Sequence, residues 1–156
     1  MTAQMDTDTQ LKHYLAGTME LASILEMTPQ QMEQLRGRAQ FFVDGEHDER
    51  AVIMLEMLEE LDRTDTRPTQ VVIDVLLRMG QSDAAKAKVD RLLARDPKSL
   101  DALTARAKVE LAMGDWVKAA ATLKDVAAKD PTAKTDAGKR GRALAAKAYA
   151  TFEESR

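Results

Sequence analysis

Alanine returns at Ala51, Ala85 and Ala119, a step of 34 residues, and the same step relates Gly80 to Gly114 and Asp96-Pro97 to Asp130-Pro131. A fixed period of this length is the mark of an array of supersecondary units, none of which buries its apolar face alone. Stacked neighbours bury it together, and the stack carries an extended concave surface. The spacing therefore constrains this chain to helical hairpins in series, and points to binding rather than to chemistry.

A 34-residue period is that of the tetratricopeptide repeat, a helix-turn-helix unit that winds into a right-handed superhelix. The chain has 156 residues, enough for one short array that buries close to about 70% of its unfolded surface, with no need for a second domain. Charged residues make up 31% and aromatics 4%, and the abundant Ala, Leu, Met, Lys, Arg and Glu favour an all-α protein without strands. The expected organisation is an N-terminal amphipathic helix and linker over 1–31, three repeats over 32–133, and a C-terminal capping helix over 134–156.

The net charge of -3 is unevenly distributed, with about -9 over residues 1–66 and +6 over the remainder. Such a field can steer a partner or simply mark two solvated faces of opposite sign. The bases are scattered among acids and lack interleaved aromatics, which argues against nucleic acid. Cysteine is absent, so disulfides and thiolate chemistry are excluded. The first ten residues carry Asp6 and Asp8 and have neither a basic region nor an apolar run, so they do not read as a secretory leader. No stretch approaches the length of an apolar membrane span. The expected location is cytoplasmic.

Leu11, Tyr14, Leu15, Thr18, Leu21, Ala22 and Leu25 follow helical spacing and predict one helix over about 8–26, capped by Asp8 or Thr9. Thr28-Pro29-Gln30-Gln31 reads as a capping box that opens the next helix. With position 1 of each repeat at Met32, Thr66 and Leu100, position 8 holds Ala39, Ile73 and Ala107, and position 20 holds the alanine row. Position 24 holds the larger Leu55, Val89 and Leu123. Gly80 and Gly114 fall at the turn, and Gly45 falls one residue early; glycine suits the left-handed residue that ends a helix. The first repeat ends in Arg63-Thr64-Asp65 without a proline and is the least regular. Gly141 and Leu144 continue the phase into a final single helix over about 135–152, whose start Gly138 and Gly141 blur.

Positions 2, 5, 9 and 12 of each first helix line the concave face of this repeat. Position 12 reads Val43, Leu77 and Leu111, then Ala145, an apolar row; positions 5 and 9 read Arg36, Gln70, Thr104 and Gln40, Asp74, Lys108, a polar floor. An extended segment can set apolar side chains along the row while the floor meets its backbone. The competing reading buries Val43, Leu77 and Leu111 between helices as ordinary core. Met54, Met57, Met79 and Met113 suit either core filling or an adaptable surface. Trp116 at position 17 and Phe42 at position 11 are expected to pack, with Phe41 beside them. His13 and His47 stand far apart and share no metal-ligand spacing, and no phosphate loop or nucleophile-base pair is present, so neither an enzyme nor a cofactor is expected. The two-carboxylate clamp that some tetratricopeptide domains use on chaperone C-termini needs asparagines, and this chain has none.

The stretch Tyr14-Leu15-Ala16-Gly17, then Ile24-Leu25, Met32-Glu33-Gln34-Leu35, Phe42-Val43-Asp44-Gly45, Leu61-Asp62 and Arg78-Met79-Gly80-Gln81, resembles the class II chaperones of type III secretion, the LcrH/SycD family. The resemblance covers about residues 10–125, and half of these residues are repeat consensus. It departs from the family at Val71-Val72-Ile73-Asp74-Val75-Leu76-Leu77, where the family has a glycine- and aromatic-containing helix, and its groove is poorer in Tyr and Phe. The resemblance implies a cytoplasmic chaperone whose partners are hydrophobic secreted translocator proteins, held by an extended segment in the groove. It also implies a homodimer contact at Leu15, Leu21 and Leu25. A needle-subunit co-chaperone of the same secretion system and a general tetratricopeptide scaffold are the alternatives.

Overall fold

The computed structural model describes residues 5–154, apart from the side chains of Phe152 and Glu154. Residues 1–4 and 155–156 of the two flanking segments lie outside the described residues. The described chain is helical, with no strand: α1 (Thr7–Leu15), α2 (Leu21–Ile24), α3 (Pro29–Asp44), α4 (Asp48–Leu61), α5 (Arg67–Arg78), α6 (Ser82–Arg95), α7 (Leu100–Ala112), α8 (Trp116–Lys129) and α9 (Asp136–Glu154). It forms two compact units, Met1–Val75 and Leu76–Arg156, divided within α5.

In the first unit, α3 and α4 pair as a hairpin. Thr28 caps α3 as the sequence predicts: its hydroxyl accepts from the Gln31 amide at 3.2 Å, and Gln31 accepts in return from the Thr28 amide at 2.8 Å. The single N-terminal helix expected over 8–26 is instead two pieces. Gly17 adopts φ +72°, its amide donates to the Tyr14 carbonyl and that of Thr18 to the His13 carbonyl, a left-handed stop that ends α1. The cap is Asp6 rather than Asp8 or Thr9, accepting from the Thr9 amide at 2.9 Å. These contacts hold Asp6 below the ordinary carboxylate range. Apolar spacing continues across the break and hides it, because the stop is a local backbone event.

Short polar contacts fasten this N-terminal piece. The Tyr14 hydroxyl donates to Glu60 Oε2 at 2.9 Å, the Arg63 guanidinium lies 4.3 Å from the Tyr14 ring centre, and Thr64 donates to Glu20 at 3.1 Å. The Glu60 carboxylate pushes the Tyr14 phenol above its usual range.

In the second unit, α7 and α8 form a hairpin, α6 packs against α7, and α9 lies against both α7 and α8. Gly80 and Gly114 take φ near +75° and close the turns after α5 and α7. In the first repeat that place is filled by Glu46 at φ +55°, while Gly45 is ordinary, so the expected glycine turn there is corrected. The backbone pattern is the same: His47 donates to the Phe42 carbonyl as Gln81 does to Leu76 and Asp115 to Glu110. The chain geometry is kept, and Glu46 carries the steric cost.

Ala51, Ala85 and Ala119 are each fully buried, as are Ala39, Ile73 and Ala107 at position 8. Alanine at five of these six places lets paired helices approach, while Ile73 fills the sixth with a bulkier side chain. The glycines of α9 act likewise: a β-carbon on Gly141 would lie 2.8 Å from Val126 Cγ1, and one on Gly138 would lie 2.2 Å from Asp130 Oδ2. Asp130 latches the start of that helix, accepting from the Lys134 and Thr135 amides and from the Thr135 hydroxyl at 2.7 Å.

Candidate functional site

Position 12 of the first helices is neither core nor open surface. Val43, Leu77 and Leu111 are each half-buried, whereas position 8, one helical turn earlier, is sealed in every repeat. A half-buried aliphatic side chain keeps apolar area that a partner can cover. Ala145, which continues the row into α9, is exposed.

The polar positions divide. In the first unit, Gln40 is exposed and donates to Asp44 Oδ1 at 2.6 Å, Gln70 is half-buried and Asp74 exposed. Arg36 is half-buried, 3.6 Å from both Glu33 and Asp65, and its Nε is enclosed without a hydrogen-bond acceptor. Asp65 also receives Arg67 at 2.8 Å, and this contact, ahead of the opposing effect of burial, holds its carboxyl low. In the second unit, Lys108 is half-buried. Thr104 is the exception to the expected floor: it is buried, and its hydroxyl donates to the Ala137 carbonyl at 3.3 Å. The chain's own α9 covers it, since Ala137 and Gly141 allow that helix to come close.

Of the three leucines expected at a dimer contact, Leu15 and Leu25 are exposed and Leu21 is half-buried. Leu11, one turn before Leu15 in α1, is exposed as well.

Trp116 does not pack as expected at position 17; it is 45% exposed, next to the exposed Val117. Phe42 is half-buried and Phe41 exposed. A buried carboxylate, Glu110, escaped the sequence reading. It occupies position 11, where the first two repeats have Phe42 and Leu76, and an acid at an apolar register position was the signal available. Its Oε1 accepts from Arg106 at 2.8 Å and its Oε2 from the Thr122 hydroxyl at 2.7 Å. Among the described residues there is no cluster of His, Asp or Glu able to hold a metal ion, and no helix long and apolar enough to cross a membrane.

Residues 76–148 match the family model of the tetratricopeptide repeat. No curated protein matches the chain in sequence. Among solved structures, it is similar to the Yersinia enterocolitica type III secretion translocator chaperone SycD, at 23% identity and a TM-score of 0.69, over 82% of this chain and 98% of that one. It is also similar to the tetratricopeptide domain of Sgt2 from Aspergillus fumigatus, at 17% identity and a TM-score of 0.63, over 82% of each chain. The 34-residue register, the buried alanine row and these likenesses agree that the chain has the tetratricopeptide-repeat fold.

Proposed function

We propose that the chain is a non-enzymatic, cytoplasmic secretion chaperone that holds an extended segment of hydrophobic translocator proteins. The observation that carries this reading is the fold-level likeness to a translocator chaperone along 98% of that protein's length. The half-buried state of Val43, Leu77 and Leu111 supports it, since those side chains retain area for a client to cover. The mechanism is stoichiometric masking. Apolar client side chains rest on the position-12 residues, and Arg36, Gln40, Gln70, Asp74 and Lys108 engage the client's polar groups. Thr104 takes no part, being engaged by α9. Affinity comes from apolar burial at about 25 cal/mol per Å², less the cost of ordering the client.

A homodimer through Leu15, Leu21 and Leu25 belongs to the same proposal, supported by the exposure of the first and last of these. The likeness to the Sgt2 domain supports a second reading, a protein-binding scaffold unconnected with secretion.

Affinity purification of the tagged chain from its native cells, beside Leu77→Asp, tests the proposal. Recovery of one or two membrane-active secreted proteins by the parent chain alone is the expected result, with equal helicity of the variant showing that the fold is intact. Equal recovery by both moves the site away from Leu77, and recovery of unrelated partners alone leaves the scaffold.

A further inference from the structure

A cleft of about 260 Å³ opens in the second unit among α6, α7 and the start of α8. The nearly sealed Val89 and Val109 and the exposed Met113 give it an apolar base. Ion pairs line it: Lys86 with Asp90 at 2.7 Å, Arg106 with Glu110 at 2.8 Å, and Lys118 with Asp115. Two of these pairs are lopsided. The Arg106 side chain is 48% exposed against 11% for Glu110, and Lys118 is 66% exposed against 36% for Asp115. Acid is withdrawn and base presented, so the cleft shows a visitor a basic rim although its formal charges balance.

Next to the lining in sequence, though not part of it, stand two exposed apolar residues. Trp116 and Val117 follow Asp115, which lines the cleft, and both are exposed. At the same register positions the first repeat has Asp48 and Glu49, and the second has Ser82 and Asp83. An exposed tryptophan and valine that no packing requirement explains, beside a cleft with an apolar base, have the character of a binding surface, where large aromatics serve as anchors.

We propose that this cleft is a second protein-binding site, distinct from the position-12 row, and that its ligand is a short acidic peptide segment with a central apolar anchor. The anchor enters over Val89, Val109 and Met113, the flanking carboxylates meet Arg106 and Lys118, and Trp116 closes over the segment.

Trp116 is the chain's sole tryptophan, so the site reports on itself. The probe is a blocked hexapeptide with Leu-Phe at its centre and two acids on either side. Titration is expected to shift the Trp116 emission to the blue, saturably, and raising the salt from 0.05 to about 0.5 M is expected to weaken binding several-fold as the rim is screened. Lys118→Glu should weaken it at least tenfold, and Val117→Asp should do the same from the apolar side. Both substitutions fall on exposed positions, and unchanged helicity verifies that the variants fold. The proposal is overturned by the absence of a shift at millimolar peptide, or by an equal response to a peptide with lysines in place of the acids. It is equally overturned by an equal response when Gly-Ser replaces Leu-Phe, or by a shift that grows with protein concentration in the absence of peptide, which would assign the surface to a second copy of the chain.

Discussion

Phe41 and Val109 hold the same register position in the first and third repeats, yet Phe41 is 67% exposed and Val109 only 2%. The position looks outward from the first helix toward the second helix of the preceding repeat. In the third repeat that neighbour is α6, which packs on α7. The first repeat has none: α2 is a single turn that packs against α4, and α1 is fastened through Tyr14 to the end of α4. A repeated sequence thus specifies the hairpin, while the neighbour decides whether a given side chain is core or surface.

The largest effect should come from placing a charge at this one position in both repeats. Val109→Asp forces a carboxylate into a nearly sealed position whose neighbouring bases already serve Asp90, Glu110 and Asp115, and is expected to cost about 3 kcal/mol or more. Phe41→Asp should stay within about 0.5 kcal/mol of the parent. Urea unfolding of the two variants measures the contrast, and comparable losses would show that Phe41 is covered in solution.

The next effect separates the ends of the repeats. Asp62, Asp96 and Asp130 follow the same 34-residue step and each accepts a backbone amide, but Asp130 alone holds the entry to α9. Asp130→Ala should release α9, with a loss of stability between that of Val109→Asp and that of a turn substitution, and with faster amide exchange confined to residues 131–154. The Thr135 hydroxyl, then the Thr135 and Lys134 amides, depress the Asp130 carboxyl. A group whose folded pKa is depressed contributes stability above its unfolded pKa, about 4, and loses that contribution as pH falls through the folded value. Acid titration should therefore leave stability flat above pH about 4 and erode it below. Asp130→Ala should show a shallower decline.

The smallest effects sharpen the turn comparison, with opposite signs. Gly114→Ala forces a β-carbon into the left-handed region at φ +76° and should cost about 1 kcal/mol. Glu46→Gly removes that cost from the first repeat, where φ is +55°, and should gain about 1 kcal/mol or less. Thermal midpoints of the two variants suffice to read the signs.

The same comparison explains what was legible beforehand. The alanine row, the position-8 row and the Thr28 capping box were readable because the contact is made by the residue that repeats or by neighbours three residues apart. The stop at Gly17 and the left-handed Glu46 were not, since both are set by local backbone hydrogen bonds that apolar periodicity does not encode. The register of Thr104 is that of a groove residue and predicts an open floor. What covers it is the approach of α9, made possible by Gly141, a residue that reads locally as a helix breaker. The register of Trp116 predicts packing, since the repeat usually packs an aromatic there, and in the structure it is 45% exposed.

The central claim, that the position-12 residues meet a client, is tested most directly by photocrosslinking in native cells. A photoreactive side chain is placed in turn at Val43, Leu77 and Leu111, and at the exposed Ala121 on α8 as a control. The account predicts that the three row positions capture the same secreted protein and that Ala121 captures none of it. Capture of that protein from Ala121 as strongly as from the row, or crosslinks from the row only within the chain itself, would contradict it.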